Sequence, residues 1–302
     1  MIDEKDSISG FFEEWGLEVT SIDLGVTGKE KRDSRIEISR DSYPGVEPHL
    51  VTIADIASWS IGLTPSGDIR LKCPLSGISD GNSLDFYRRY WEQLLTATDT
   101  IMGFLEGYRI RFSKGAYPTT LWAHHFMNWA HETWDSRRLE PAPIDSWICY
   151  VDPSIRPHIR ELNEFGLVTR ESCSGNPDDH PDREPYWPYV MFEERTYPGI
   201  SAHLFTLADM AYWIPIYGRH GFDVSLEMPR NLELSRGTIE SYWNNLVLSA
   251  RKLMPLLQDH LSATRTDSYR NLSNPSLFRL LPGSKSDAAS SIEKTRKSRL
   301  PQ

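Results

Sequence analysis

Cysteine is scarce and scattered in this chain: Cys73, Cys149 and Cys173 are all it has. Spacings this wide exclude a disulfide framework and a paired-cysteine zinc ribbon. No apolar run approaches the roughly 20 residues that a membrane-spanning helix requires. The first residues, Met1 to Asp6, lack the basic and apolar regions of a leader. A reducing cytoplasm, without a membrane partner, is the expected setting. Also missing are a phosphate-cradling glycine loop, a dinucleotide fingerprint and the Gly-x-Ser-x-Gly elbow of serine hydrolases. Their absence removes the nucleotide and acyl-transfer sites that announce themselves in sequence.

What remains is the composition of an ordinary globular protein, 39% hydrophobic and 25% charged over 302 residues. The net charge of −9 is unevenly spread. From Arg265 onward eight Lys or Arg face three acids, so the tail carries about +5 and the rest about −14. A body this acidic tracks phosphates poorly, so nucleic acid is not an expected partner except through the tail. The end of that tail, Ser284 to Gln302, has no core-forming pattern and is expected to be disordered.

The chain repeats itself. His49-Leu50-Val51-Thr52-Ile53-Ala54-Asp55-Ile56-Ala57-Ser58-Trp59 returns as His203-Leu204-Phe205-Thr206-Leu207-Ala208-Asp209-Met210-Ala211-Tyr212-Trp213. Tyr43-Pro44-Gly45 precedes the first and Tyr197-Pro198-Gly199 the second, while Tyr90-Trp91 and Tyr242-Trp243 follow. These landmarks divide the chain into a first unit (1–108), a helical insertion or linker (109–149), a second unit (150–260) and the basic tail (261–302). Each unit reads as α-β-β-α-β-α, a mixed α/β sandwich duplicated about a pseudo-twofold. Its helices and strands are expected at Ser7 to Glu14, 17–22, 35–38, the His-Leu helix, 68–73 and 84–105, and at the equivalent places in the second unit. Gly16 and Gly166 stop the first helix of each copy, and Thr52 and Thr206 are expected to cap the His-Leu helices. In the insertion, a helix is expected from about Thr120 to Ser136, and its His124, His125 and His131 fit no ligand spacing.

The copies differ where chemistry would sit. Copy one reads Ile22-Asp23-Leu24-Gly25, and copy two reads Ser172-Cys173-Ser174-Gly175. The second sequence lies where a strand ends and a loop begins, a frequent address for function. Small residues admit a close ligand, consecutive amides can hold an anion, and a thiol can act as nucleophile or ligand. The bland alternative is a half-buried cysteine beside a glycine needed for the turn. The loop that follows, Asn176 to Pro185, places His180 among four carboxylates, a set that suits a hard or borderline cation, an acid–base group or simply a solvated polar loop. Cys173 and His180 are the candidate catalytic residues, and no metal site is expected. His203 should lie near the turn, although its copy at His49 argues for a structural role.

The stretch Glu161-Leu162-Asn163-Glu164-Phe165-Gly166-Leu167 through Ser172-Cys173-Ser174-Gly175, then Glu184-Pro185-Tyr186-Trp187-Pro188-Tyr189-Val190, resembles the tRNA wybutosine-synthesis methyltransferase family. It is also similar to uncharacterised bacterial and phage proteins with a Ser-Cys-Ser-Gly-His pattern. The resemblance covers residues 151–193. It implies S-adenosylmethionine as cofactor, with Ser172, Ser174 and Gly175 beside Cys173 at the ligand site and Glu184 to Tyr189 on a neighbouring strand. Asn176 stands where the family has a basic residue, and the nearest histidine is His180. With the acidic body, this favours a small-molecule substrate over tRNA. The expected function is a small-molecule-modifying enzyme, an S-adenosylmethionine-dependent methyltransferase if the resemblance holds, with Cys173 and His180 catalytic and Ser172, Ser174, Gly175, Glu184, Tyr189 and His203 binding cofactor. The alternative is a ligand-binding or regulatory protein without turnover.

Overall fold

The computed structural model describes residues 2–27, 30–31, 34–43, 45–73, 83–108, 142–182, 184, 186–193, 196–197, 199–217 and 223–264. The helix expected around residues 120–136, with its three histidines, and the end of the tail lie outside these residues.

The first unit runs α1 (Ile2–Glu14), β1 (Val19–Asp23), a short β2–β3 hairpin (Val26–Thr27, Glu30–Lys31), β4 (Arg35–Ile38), α2 (Val46–Ala57), β5 (Ser60–Leu63), β6 (Ile69–Lys72) and α3 (Ser83–Phe104). The second runs α4 (Arg156–Glu164), β7 (Thr169–Cys173), β8 (Tyr189–Glu193), α5 (Ile200–Ala211), β9 (Ile214–Tyr217), β10 (Asp223–Glu227), α6 (Arg236–Leu253) and α7 (Gln258–Thr264). The sheets have the same strand order, β1-β4-β6-β5 and β7-β8-β10-β9, and every pairing is antiparallel. Even the register irregularity recurs, between Val19 and Ser21 in one copy and Thr169 and Glu171 in the other. The fold is thus a mixed α+β duplication, with one strand more in each four-stranded sheet than the sequence pattern indicated, and a β2–β3 hairpin besides in the first unit.

The extra strands, β5 and β9, were hidden by how the helices before them end. Ser58 and Tyr212 take left-handed backbone (φ 58° and 64°) where a glycine would be expected, and the chain turns directly into a strand. Gly16 and Gly166 do close α1 and α4 with positive φ, and Leu17 and Leu167 donate back to the carbonyls of Phe12 and Leu162.

Each sheet turns alternate residues inward: Ile36 and Ile38 with Ile69 and Leu71 in one unit, Val190 and Phe192 with Val224 and Leu226 in the other. Paired tryptophans complete each core. The rings of Trp59 and Trp91 lie 4.9 Å apart at 68°, and those of Trp213 and Trp243 lie 5.0 Å apart at 68°. Trp59 Nε1 donates to the Tyr90 carbonyl and Trp213 Nε1 to that of Tyr242, both at 3.0 Å. The Tyr-Trp landmark is therefore half of an aromatic clasp.

The repeated His-Leu motif builds the joint between units. Helices α2 and α5 pack on one another, and every residue of α5 is buried, its polar residues included. Inside this contact the polar residues pair reciprocally. His49 Nε2 meets Asp209 Oδ2 at 2.8 Å, His203 Nε2 meets Asp55 Oδ2 at 2.9 Å, and the hydroxyls of Thr52 and Thr206 share a hydrogen bond of 2.8 Å. Such exchange is the mark of a twofold-related interface. Behind each histidine stands a tyrosine hydroxyl, Tyr43 or Tyr197, against Nδ1. The threonines therefore sit inside the helices and do not cap them. The cap positions are Gly45 and Gly199, both left-handed (φ 84° and 82°).

Burial lowers the His203 imidazole below its usual value, against the pull of Asp55, and His260 lowers it further. The unfolded chain then holds this proton more tightly than the fold does. Stability from His203 is complete above about pH 6.5 and is lost as pH falls below it. We expect the melting temperature to drop between about pH 7 and pH 5, and to drop less in His203→Gln. Parallel pH profiles for the two proteins would refute this.

Candidate functional site

The turn after β7 is tied both to β8 and to the core. β7 is an edge strand, and its last residue, Cys173, lies opposite Tyr189 on β8. Gly175 adopts φ +71°, and a Cβ there would overlap the Pro188 ring. Trp243 of the aromatic clasp donates its indole N–H to the Ser174 carbonyl at 3.3 Å, which ties the turn to the core. Gly166, also left-handed, has open space around it. Gly166→Ala should therefore cost about 1 kcal/mol from backbone strain, whereas Gly175→Ala should cost roughly 1–3 kcal/mol more through overpacking. Equal losses in urea unfolding would contradict the close Pro188 contact.

On this turn three side chains converge. Cys173 Sγ lies 3.5 Å from His180 Nε2, and the same nitrogen lies 3.2 Å from Asp152 Oδ2. One donor atom from each residue falls within 4.8 Å of the others. Asp152 precedes α4 and is fixed by the Ser174 N–H, which donates to Oδ2 at 2.8 Å. The His180 loop is short and self-braced: Asn176 accepts from the Asp178 N–H, and Ser154 donates to Asp179. Cys173 and His180 are buried, while the Asp152 side chain is 17% exposed. Burial raises the Cys173 thiol above its ordinary value; the Gly175 N–H acts against this and Asp152 adds to it. The thiol also meets the Tyr186 carbonyl at 3.6 Å.

This geometry has a chemical consequence. In a nucleophilic relay the thiol and the carboxylate use opposite nitrogens of the imidazole, so that a proton gained at one is balanced at the other. Here both face Nε2. The three groups point at a common centre and do not form a chain.

Among the described residues, the equivalent place in the first unit gathers no such cluster. Asp23 stands where Cys173 does and accepts from the Gly25 N–H at 3.0 Å, an ordinary turn contact.

Of the residues expected from sequence, the structure brings Cys173, Ser174, Gly175, His180 and Tyr189 together. Burial raises the Tyr189 phenol, with Glu171 and Cys173 adding to the shift. Ser172 sits on β7, half-buried, one residue before the cluster. Glu184 does not share the neighbouring strand: β8 begins at Tyr189, and Glu184 is exposed in the preceding loop. His203 does not reach the turn. Its partners are Asp55, Tyr197 and His260, all at the joint. The turn amides are also committed, with Ser174 N–H bound to Asp152 and Asn176 N–H to Ser174 Oγ, so they offer no anion nest. Asp152 was missed because no motif spacing connects it to residues 173 and 180. A groove of about 440 Å³ lies elsewhere, along α4 and α6, lined by His158, Glu161, Asn244 and Arg251.

No protein-family model, no curated protein and no solved structure matches this chain.

Proposed function

We propose that this protein is a small-molecule-modifying enzyme whose chemistry is carried by Asp152, Cys173 and His180, with the first unit as structural partner. The supporting observation is one-sidedness. Two units share strand order, bulge, aromatic clasp and joint, yet among the described residues only the second gathers a thiol, an imidazole and a carboxylate. Shared features serve shape, so the unshared cluster is the place to seek chemistry. S-adenosylmethionine, the donor implied by resemblance, finds no ready cradle, because the turn amides are engaged and Gly175 packs on Pro188. No step is routed through it, and it enters as the first arm of a binding test.

That test is a thermal-shift series with S-adenosylmethionine, nucleotides and small metabolites on wild type, Cys173→Ala, His180→Ala and Asp23→Ala. A ligand at a hundred times its dissociation constant stabilises by about 2.7 kcal/mol. Stabilisation should vanish in the two cluster variants and persist in Asp23→Ala. Full stabilisation of Cys173→Ala and His180→Ala would overturn the assignment. A second reading, ligand binding without turnover, draws on the raised Cys173 thiol, which burial keeps protonated and weakly nucleophilic. Product formation from the stabilising ligand separates the two.

A further inference from the structure

We propose that Asp152, Cys173 and His180 form a three-ligand site for a zinc-type divalent cation, with a fourth position left to water or substrate. This deepens the function proposed above for the same cluster, and its readouts need no substrate, so either idea can fail alone.

Spacing carries the inference. Tetrahedral zinc holds sulfur at about 2.3 Å and nitrogen or oxygen at about 2.0–2.1 Å, which sets S···N near 3.5 Å and N···O near 3.3 Å. The observed separations are 3.5 Å for Cys173 Sγ to His180 Nε2 and 3.2 Å for His180 Nε2 to Asp152 Oδ2. Convergence on one nitrogen, which defeats a proton relay, is what coordination requires. The ligand set mixes soft thiolate, imidazole and carboxylate, as suits zinc or cobalt better than magnesium or calcium. The Ser174 N–H holds Asp152 in place through the same Oδ2 that faces His180, in the manner of groups that orient metal ligands. Partial exposure of Asp152 leaves a path for the ion.

Asp55, His203 and His260 form a second cluster of ligand type, and the duplication argues against it. His260 packs edge-on to His203 at 5.4 Å and 84°, while Tyr108 packs on His49 at 5.4 Å and 89°. A tyrosine fills the equivalent place with the same geometry, so this arrangement serves the joint without an ion. Asp152, Cys173 and His180 have no such copy.

Binding ends as a chemical equation: the Cys173 thiol loses its proton to solvent as the metal–sulfur bond forms, with no change of oxidation state. The experiment titrates metal-stripped full-length protein with cobalt(II) alone and then displaces it with zinc. One equivalent of cobalt should give a thiolate-to-cobalt charge-transfer band in the near ultraviolet, with visible bands of tetrahedral intensity. Zinc should abolish both. Cys173→Ser should lose the charge-transfer band, and Asp152→Asn should weaken binding at least tenfold. His260→Tyr, which copies the first unit, should bind as wild type does. Absence of the band in folded wild type would overturn the site, whatever the variants do. So would its loss in His260→Tyr with retention in Cys173→Ser.

Discussion

Asp209→Ala is expected to destabilise the protein by on the order of 3–5 kcal/mol, the usual cost of removing one partner from a buried ionisable pair. Asp209 accepts from His49 Nε2 at 2.8 Å in a contact where the two side chains are 6% and 0% exposed. Its loss removes the carboxylate acceptor from a fully buried imidazole. The reciprocal change, Asp55→Ala, should cost less, since Asp55 is 15% exposed and water can substitute. Replacing both His49 and Asp209 by leucine should cost less than the sum of the singles, because no buried polar group is then left unpaired. Chemical denaturation of the wild type, the two alanine variants, the two leucine singles and the leucine double measures this. Additive losses would mean that the two side chains do not depend on one another.

Cutting the chain should have the larger effect. Residues 150–264, expressed alone, lose α2 and with it the cover of a helix whose twelve residues are all buried. This fragment should not persist as a folded monomer. It should pair with a second copy of itself, because Thr206 can meet Thr206 and His203 can meet Asp209 across a true twofold in the way the two units now meet. Light scattering with size-exclusion chromatography decides the matter: a stable, folded monomer would show that the joint is dispensable.

The duplication was legible because shared residues were also the ones with shared jobs. Tyr43, His49, Thr52 and Asp55 recur as Tyr197, His203, Thr206 and Asp209 because each set completes the other. The job itself was not legible, since the partners lie 148 to 160 residues apart. Hence His203 was expected near the turn, and Thr52 and Thr206 at helix ends. The cysteine turn was found because the copies disagree there, and His180 because it is the one imidazole in its loop. Asp152 gave no sign: its role depends on the approach of the α4 entry to the end of β7, a tertiary fact. Strands β5 and β9 were missed because Ser58 and Tyr212 take a backbone conformation that sequence normally marks with glycine.

The separation of α2 from α5 along the chain also has a meaning during synthesis. Helix α2 ends at Ala57, and its partner is complete only at Ala211. At roughly 5–20 residues per second, the ribosome makes that interval last on the order of 8–30 seconds. Throughout it, the side of α2 that later meets its partner helix stays uncovered. On a polysome, neighbouring nascent chains offer the same face to one another. His49, Thr52 and Asp55 stud that face with groups that stay hydrated until a matching set arrives, and so discourage premature association between chains.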